Sequence, residues 1–222
     1  GFITAQSGIE KKIRQKLVNE RMLRGVVSMP PNIFATTSTS VSIIFIDKTN
    51  KDNVVLITHY FSGSSHAAGK YSPDDASSGY WDSIIGPGKA IDTDKYFVIC
   101  ANVIGGCMGS FGPSHINNEN NKPYGTNFPV ITINDMVNAQ VNLLDFFGIK
   151  KLFSVIGGSM GGMQVLQFVS NFPDKSFTAL PIACTSSHSA QNIALNELGR
   201  QSIMADVNWN KGSYYENKFS PD

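Results

Sequence analysis

Gly157, Ser159 and Gly161 alternate within Leu152-Phe153-Ser154-Val155-Ile156-Gly157-Gly158-Ser159-Met160-Gly161-Gly162. An apolar run leads into the serine, and a helix-like segment leaves it at once. That G-x-S-x-G spacing is the pattern of a nucleophile elbow. The serine would occupy a strained strand-to-helix turn, where glycines let the neighbouring backbone pass close by. Its Oγ then stands at the end of a sheet, and the N–H of Met160 at the helix start can face a developing oxyanion. The chemistry predicted is covalent catalysis by Ser159. A serine hydroxyl is barely ionised near neutral pH, however, and needs a base. With this elbow, an acid and then a histidine follow the serine in chain order. After Ser159 there is one histidine, His188, and the acids are Asp174, Glu197, Asp206, Glu216 and Asp222. Asp174 comes after the elbow helix, which returns the chain to the far edge of the sheet. His188 has no acid after the right strand, so it reads as a histidine at the surface or beside a helix start.

The other reactive side chains form weaker patterns. Cys100, Cys107 and Cys184 lack CxxC spacing, which argues against a disulfide framework or a zinc site and fits a reduced cytoplasm. His59 and His66 have no metal-ligand spacing with acids or cysteines, so structural hydrogen bonding is expected of both. Gly86-Pro87-Gly88-Lys89 imitates a nucleotide loop, but no strand is expected before it and no helix start after it. The Gly105–Pro113 loop lacks G-x-x-x-x-G-K-[ST] and reads as the wall of a site.

Composition bounds the rest. With 222 residues, 41% hydrophobic and 16% charged, the chain can bury one sizeable core. No apolar run approaches the roughly 20 residues that span a bilayer. The start, Gly-Phe-Ile-Thr-Ala-Gln-Ser-Gly, has no basic flank and too short an apolar stretch for a signal peptide. The net charge of +1 hides an asymmetry: 8 Lys and Arg against 4 acids up to residue 57, then 10 against 13. A basic first quarter suits either nucleic-acid contact or a solvated helix face.

The elements that must position Ser159 follow from periodicity. Ser7 and Glu10 form a capping-box pattern ahead of an amphipathic helix to about Arg24, with Ile9, Ile13, Leu17 and Met22 on one face. Strands are predicted at 26–29, 41–46, 54–57, 96–103, 152–156 and 177–183, and helices at 134–147, 160–170 and 190–204. Gly148 supplies a helix stop. From residue 54 the pattern reads as strands alternating with helices, hence an α/β chain with a mostly parallel sheet covered on both faces.

Several ordered motifs then carry a resemblance. They are His59-Tyr60-Phe61-Ser62-Gly63 with Ser65-His66-Ala67-Ala68-Gly69, Gly86 to Asp94, Gly105 to Pro113, Gly157 to Gly162, Ser189 to Ala194, and Gly199 to Asp206. From about residue 54 to 222 the chain resembles the homoserine O-acetyltransferase family of the α/β-hydrolase superfamily. The resemblance implies an α/β-hydrolase fold and ping-pong acyl transfer through acetyl-Ser159. Acetyl-CoA would be the donor, the hydroxyl of L-homoserine the acceptor, and no cofactor would stay bound. It implies an oxyanion hole from the N–H groups of Met160 and Phe61, a cytoplasmic place in methionine biosynthesis, and a family that is commonly dimeric. The family's catalytic Asp and His, and its carboxylate-binding arginine, lie beyond the length present. Arg200 is not that arginine and reads as structural or as lining the site. The expectation is thus a C-terminally truncated acyltransferase, inactive by itself. A general serine esterase shares the elbow and stays open, as do succinyl-CoA as donor and serine as acceptor.

Residues 1 to about 57 look different. Gly8 to Gln15, Gly25 to Phe34 and Ser42 to Asp47 resemble the modification (methyltransferase) subunit of type I restriction enzymes. Pro30-Pro31-Asn32 has the wrong order for the family's Asn-Pro-Pro-aromatic motif, and no glycine-rich S-adenosylmethionine loop is present. No methyltransferase chemistry is therefore expected of this stretch, although a fragment of a DNA adenine methyltransferase subunit is a third reading. The expected division is 1–57 and 58–222, with Asn53–Ile57 common to both resemblances. No flexible linker separates the two, so the chain reads as a chimera or a truncation.

Overall fold

The computed structural model describes residues 53–215, together with the backbone of two strands at 23–28 and 42–46. The capping box and amphipathic helix expected from Ser7 lie outside the described residues, except at their end. There Leu23 and Arg24 begin a strand, β1 (Leu23–Ser28), rather than finish a helix. β1 runs antiparallel to β2 (Ser42–Ile46), with Leu23 opposite Ile46 and Val26 opposite Ile44. The described residues fall into two units. One holds the chain up to Val103 together with Thr132–Cys184, and the other Ile104–Ile131 with the chain from Thr185 on.

The first unit is built on a parallel four-stranded sheet. Its order is β10 (Ser176–Ile182), β9 (Leu152–Gly158), β3 (Val54–Thr58), β6 (Phe97–Cys100). β3 is an inner strand, and all five of its residues are buried. A run of Val, Leu and Ile without polar alternation is what a strand covered on both faces requires. Val54 and Leu56 pack with Val137, Val141, Leu144, Val165 and Phe168 of the helices on one side. Val55 and Ile57 point the other way, into a second core with Ile85, Ile91, Tyr80 and Trp81.

Helix α1 (Ile133–Phe146) is fixed at both ends by local chemistry. Thr132 and Asp135 form a reciprocal capping box. Gly148, at φ 71, donates its N–H to Asp145 while Ile149 donates to Leu144, a Schellman stop at the predicted glycine. α2 (Met160–Asn171) follows β9. Its Phe168 is fully buried at the centre of the helix-side core. Truncation by Phe168→Ala is expected to lower stability by about 3–5 kcal/mol, because a cavity remains that the sheet cannot close. Urea unfolding measures this, and a loss below ~1 kcal/mol would show that α2 is loosely seated.

The expected β–α alternation fails between β3 and β6. Residues 59–96 contain no helix, only turns and the two-residue parallel pair β4 (Ile85–Gly86) and β5 (Ile91–Asp92). Gly, Ser, Asp and Pro crowd this stretch (Ser62 to Ser65, Ser72 to Gly79), and each favours turns over helix. β4 also places a short strand at Gly86, where none was expected. Asp92 Oδ1 holds the turn after it, accepting from the N–H groups of Gly88 (3.0 Å) and Asp94 (3.0 Å).

The second unit contains a short antiparallel pair, β7 (Ile116–Asn117) and β8 (Lys122–Pro123), and α3 (Ala190–Ala205), which starts at N-cap Ser189. Phe111, Tyr124 and Phe128 pack as an aromatic group within it. Among the described residues no helix is long and apolar enough to cross a membrane.

Candidate active site

The local geometry at Ser159 is the strand-to-helix turn that a nucleophile elbow requires. β9 ends at Gly158, α2 begins at Met160, and Ser159 between them has φ 57 and ψ −122. A non-glycine residue there carries about 1–3 kcal/mol of backbone strain, tolerated only where the surroundings fix it. Two hydrogen bonds do so: Ser159 N–H donates to Ile182 O (2.9 Å), and Met163 N–H donates to Ser159 O (3.1 Å). The Ser159 side chain is exposed.

The glycines around it are required by packing. A Cβ on Gly157 would lie 2.0 Å from Thr58 Oγ1, and one on Gly161 2.1 Å from Thr58 O. One on Gly162 would meet Cys184 Cβ and Sγ at 2.7 Å. The elbow therefore presses directly on the end of β3, where Thr58 pairs with Gly157. Thr58 Oγ1 reinforces that seam, donating to Gly161 O at 2.8 Å with Ile156 O at 3.3 Å.

Phe61 lies three residues beyond β3, in a turn closed by Gly63 N–H donating to Tyr60 O (2.9 Å). β3 and β9 are adjacent and parallel, so Phe61 and Ser159 both emerge at the carboxyl ends of neighbouring strands. Ligands bind outside such ends in open α/β sheets. The N–H of Met160 opens a twelve-residue helix, whose terminus carries partial positive charge. The Phe61 ring is 85% exposed, so the backbone of this residue, rather than its packing, ties it to the site.

His59 and His66 have structural partners. His59 is buried, with Nδ1 donating to Tyr60 O (2.8 Å) and Nε2 accepting from Val103 N–H (3.1 Å), which fixes one neutral tautomer. Burial holds its pKa below the usual 6.5. Between that lowered value and 6.5 the unfolded chain binds more protons than the folded one. Stability is therefore lost as pH falls through this window. We expect the melting temperature to drop below about pH 6.5. His59→Asn, which keeps one donor and one acceptor, should flatten that limb. An unchanged pH profile in the variant would refute it. His66 Nε2 donates to Gly69 O (2.8 Å) and its ring lies against Tyr71.

His188 is exposed beside the N-cap of α3, and Asp174 lies in the exposed turn after α2. Arg200 pairs with Glu197 on the exposed face of α3. The three cysteines are free. Among the described residues no group of three or more His, Cys, Asp or Glu could hold a metal.

Three residues close to the site escaped the sequence reading: Thr58, Gln140 and Gln164. Gln164 shares a buried helical stripe with Gly161, Val165 and Phe168, and Gln140 one with Val137, Val141 and Leu144. A glutamine on each apolar stripe was the available signal. Gln140 Nε2 donates to Gln164 Oε1 (2.6 Å), and Gln164 Nε2 donates to His59 O (3.3 Å) and Met160 O (3.4 Å).

Residues 53–222 match the family model described as the alpha/beta hydrolase fold, and residues 2–72 match that of N-6 DNA methylase. The overlap at 53–72 includes β3, whose hydrogen bonds to β6 and β9 place it physically in the hydrolase sheet. A homoserine O-acetyltransferase of Pelagibacter ubique is 67% identical over 173 residues, 78% of this chain and 46% of that protein. That of Solidesulfovibrio magneticus is 59% identical over 165 residues, 74% of this chain and 42% of its own. The chain thus spans under half the length of these relatives. Among solved structures, homoserine O-acetyltransferase from Bacillus anthracis superposes with TM-score 0.72 at 32% identity, covering 86% of this chain and 55% of that one. Esterase E22 superposes with TM-score 0.71 at 41% identity, covering 85% and 55%.

Proposed function

The chain belongs to the α/β hydrolase fold family, and on that premise we propose that Ser159 is the nucleophile of a homoserine O-acetyltransferase. The observation that carries this is Ser159 itself, held at φ 57 between the carboxyl end of β9 and the start of α2. The likeness to the Pelagibacter and Solidesulfovibrio enzymes directs the choice of substrates.

Ser159 Oγ attacks the thioester carbonyl of acetyl-CoA. The C–S bond breaks, and the serine proton ends on the CoA thiol. The homoserine hydroxyl then attacks acetyl-Ser159, forming the O-acetyl ester, and its proton returns to the serine. In each half the tetrahedral oxyanion lies against the N–H groups of Met160 and Phe61. Neither N–H is hydrogen-bonded among the described residues, so both remain available to an incoming oxygen. One such donor is worth about 3–4 kcal/mol in comparable sites. No residue of this chain is assigned as the base, so no sustained turnover is expected of it alone, and Ser159 should acetylate only slowly, as an adduct that accumulates. In the cell the reading places this chemistry in the cytoplasm, as a step toward methionine.

A second reading, a serine esterase, is favoured by the likeness to esterase E22. One experiment separates them. The chain is incubated with acetyl-CoA, Ser159 acetylation is followed by intact mass and peptide mapping, and the adduct is chased with L-homoserine, L-serine or buffer. Acyl transfer predicts discharge that L-homoserine accelerates, with O-acetylhomoserine as product. Equal discharge in buffer supports the esterase. No adduct at Ser159 overturns both.

A further inference from the structure

Resting on the acetyl-Ser159 reading, we infer that Gln164 is a positioning residue: held by Gln140, its side-chain amide fixes the Phe61 turn against the first turn of α2 and so sets the two oxyanion-binding N–H groups relative to each other. Gln164 is fully buried, and its Nε2 faces two carbonyl oxygens, His59 O and Met160 O. One belongs to the residue whose N–H is a proposed oxyanion donor. The other belongs to the peptide just ahead of the Tyr60–Gly63 turn that carries the second donor. An NH2 group has two hydrogens for two acceptors, whereas a flipped amide would set its oxygen against both carbonyls. The carbonyls thus dictate the orientation of Gln164. Its Oε1 must then meet a donor, and Gln140 supplies one.

The pair is an odd choice if stability alone is at stake. Gln140 is buried, and its Oε1 has no hydrogen-bond partner. A half-satisfied buried polar pair is generally no more stabilising than two apolar side chains of similar shape. The site, rather than the core, gains from this relay. His59 also braces this loop, through Tyr60 O and Val103 N–H.

The test uses Gln164→Met, Gln140→Met and the double variant, with p-nitrophenyl acetate as acyl donor. Nitrophenolate release gives the limiting acetylation rate and the half-saturating concentration, intact mass gives the fraction of chains acetylated, and thermal melting gives the fold. We expect the double variant to melt close to the native chain and reach the same acetylated fraction. Its limiting rate should fall about tenfold or more at unchanged half-saturation, since a misplaced donor loses part of the ~10²-fold that a deleted one costs. Gln140→Met should fall less. Variants that fold and react at the native limiting rate overturn the inference and leave the acetyl-Ser159 reading intact. A double variant that fails to fold also overturns it, because the pair would then serve the core. If the native chain is acetylated no more than Ser159→Ala, the acetyl-Ser159 reading fails, and the positioning role falls with it.

Discussion

Replacing Ser159 with alanine removes the acetyl adduct on treatment with acetyl-CoA or an activated acetate ester. The expected loss is of the whole adduct signal above background, since Ser159 Oγ is the atom that takes the acetyl group. The same position makes an independent stability prediction. Ser159 sits at φ 57, where a Cβ is strained and glycine is not. Ser159→Gly should therefore melt higher than the native chain, by about 1 kcal/mol, while being equally unable to form the adduct. Ser159→Ala keeps the Cβ and so keeps the strain. A glycine variant no more stable than the alanine variant would mean that the elbow is relaxed, and an adduct surviving in either would place the nucleophile elsewhere. Gain in stability with loss of reactivity at a single atom is the signature of strain kept for function.

The legibility of the site follows from the range of the forces that build it. The elbow was readable because its requirements are local: an apolar strand, glycines at fixed offsets, a serine between them. α1 was readable for the same reason, through its apolar face and the glycine stop at Gly148. What holds the elbow to its neighbours was not. Thr58 meets Gly161 across 103 positions and Gln164 meets His59 across 105, and neither pairing leaves a periodic trace. The long turn-rich passage from 59 to 96 shows the same limit. A rule of strands alternating with helices supplies a helix there, but its Gly, Ser, Asp and Pro residues form turns instead, and Tyr80 and Trp81 cover the sheet in place of a helix.

Gly161→Ala tests how tightly the elbow depends on β3. The new Cβ would stand 2.1 Å from Thr58 O, 2.9 Å from Thr58 C and 3.1 Å from His59 O, all of them backbone. A Cβ essentially never stands closer than 3.0 Å to a non-bonded heavy atom, so the first contact must open by about an ångström. No side chain can swing aside to allow it. Either β3 leaves its register with β9 at Thr58 and Gly157, or α2 withdraws and takes Met160 with it. Both routes break the Thr58 Oγ1 bond to Gly161 O. The expected cost is about 3 kcal/mol, the upper end for overpacking a rigid site, and acetylation of Ser159 should be lost even where the variant stays folded. Gly199→Ala is the matched control. A Cβ there meets nothing within 4 Å on α3, so the same methyl group should stabilise the chain by about 1 kcal/mol through helix propensity. Chemical denaturation of the two variants, with the p-nitrophenyl acetate rate of each, decides the matter. A Gly161→Ala chain that is stable and reacts at the native rate would show that the end of β3 yields to the elbow rather than holding it.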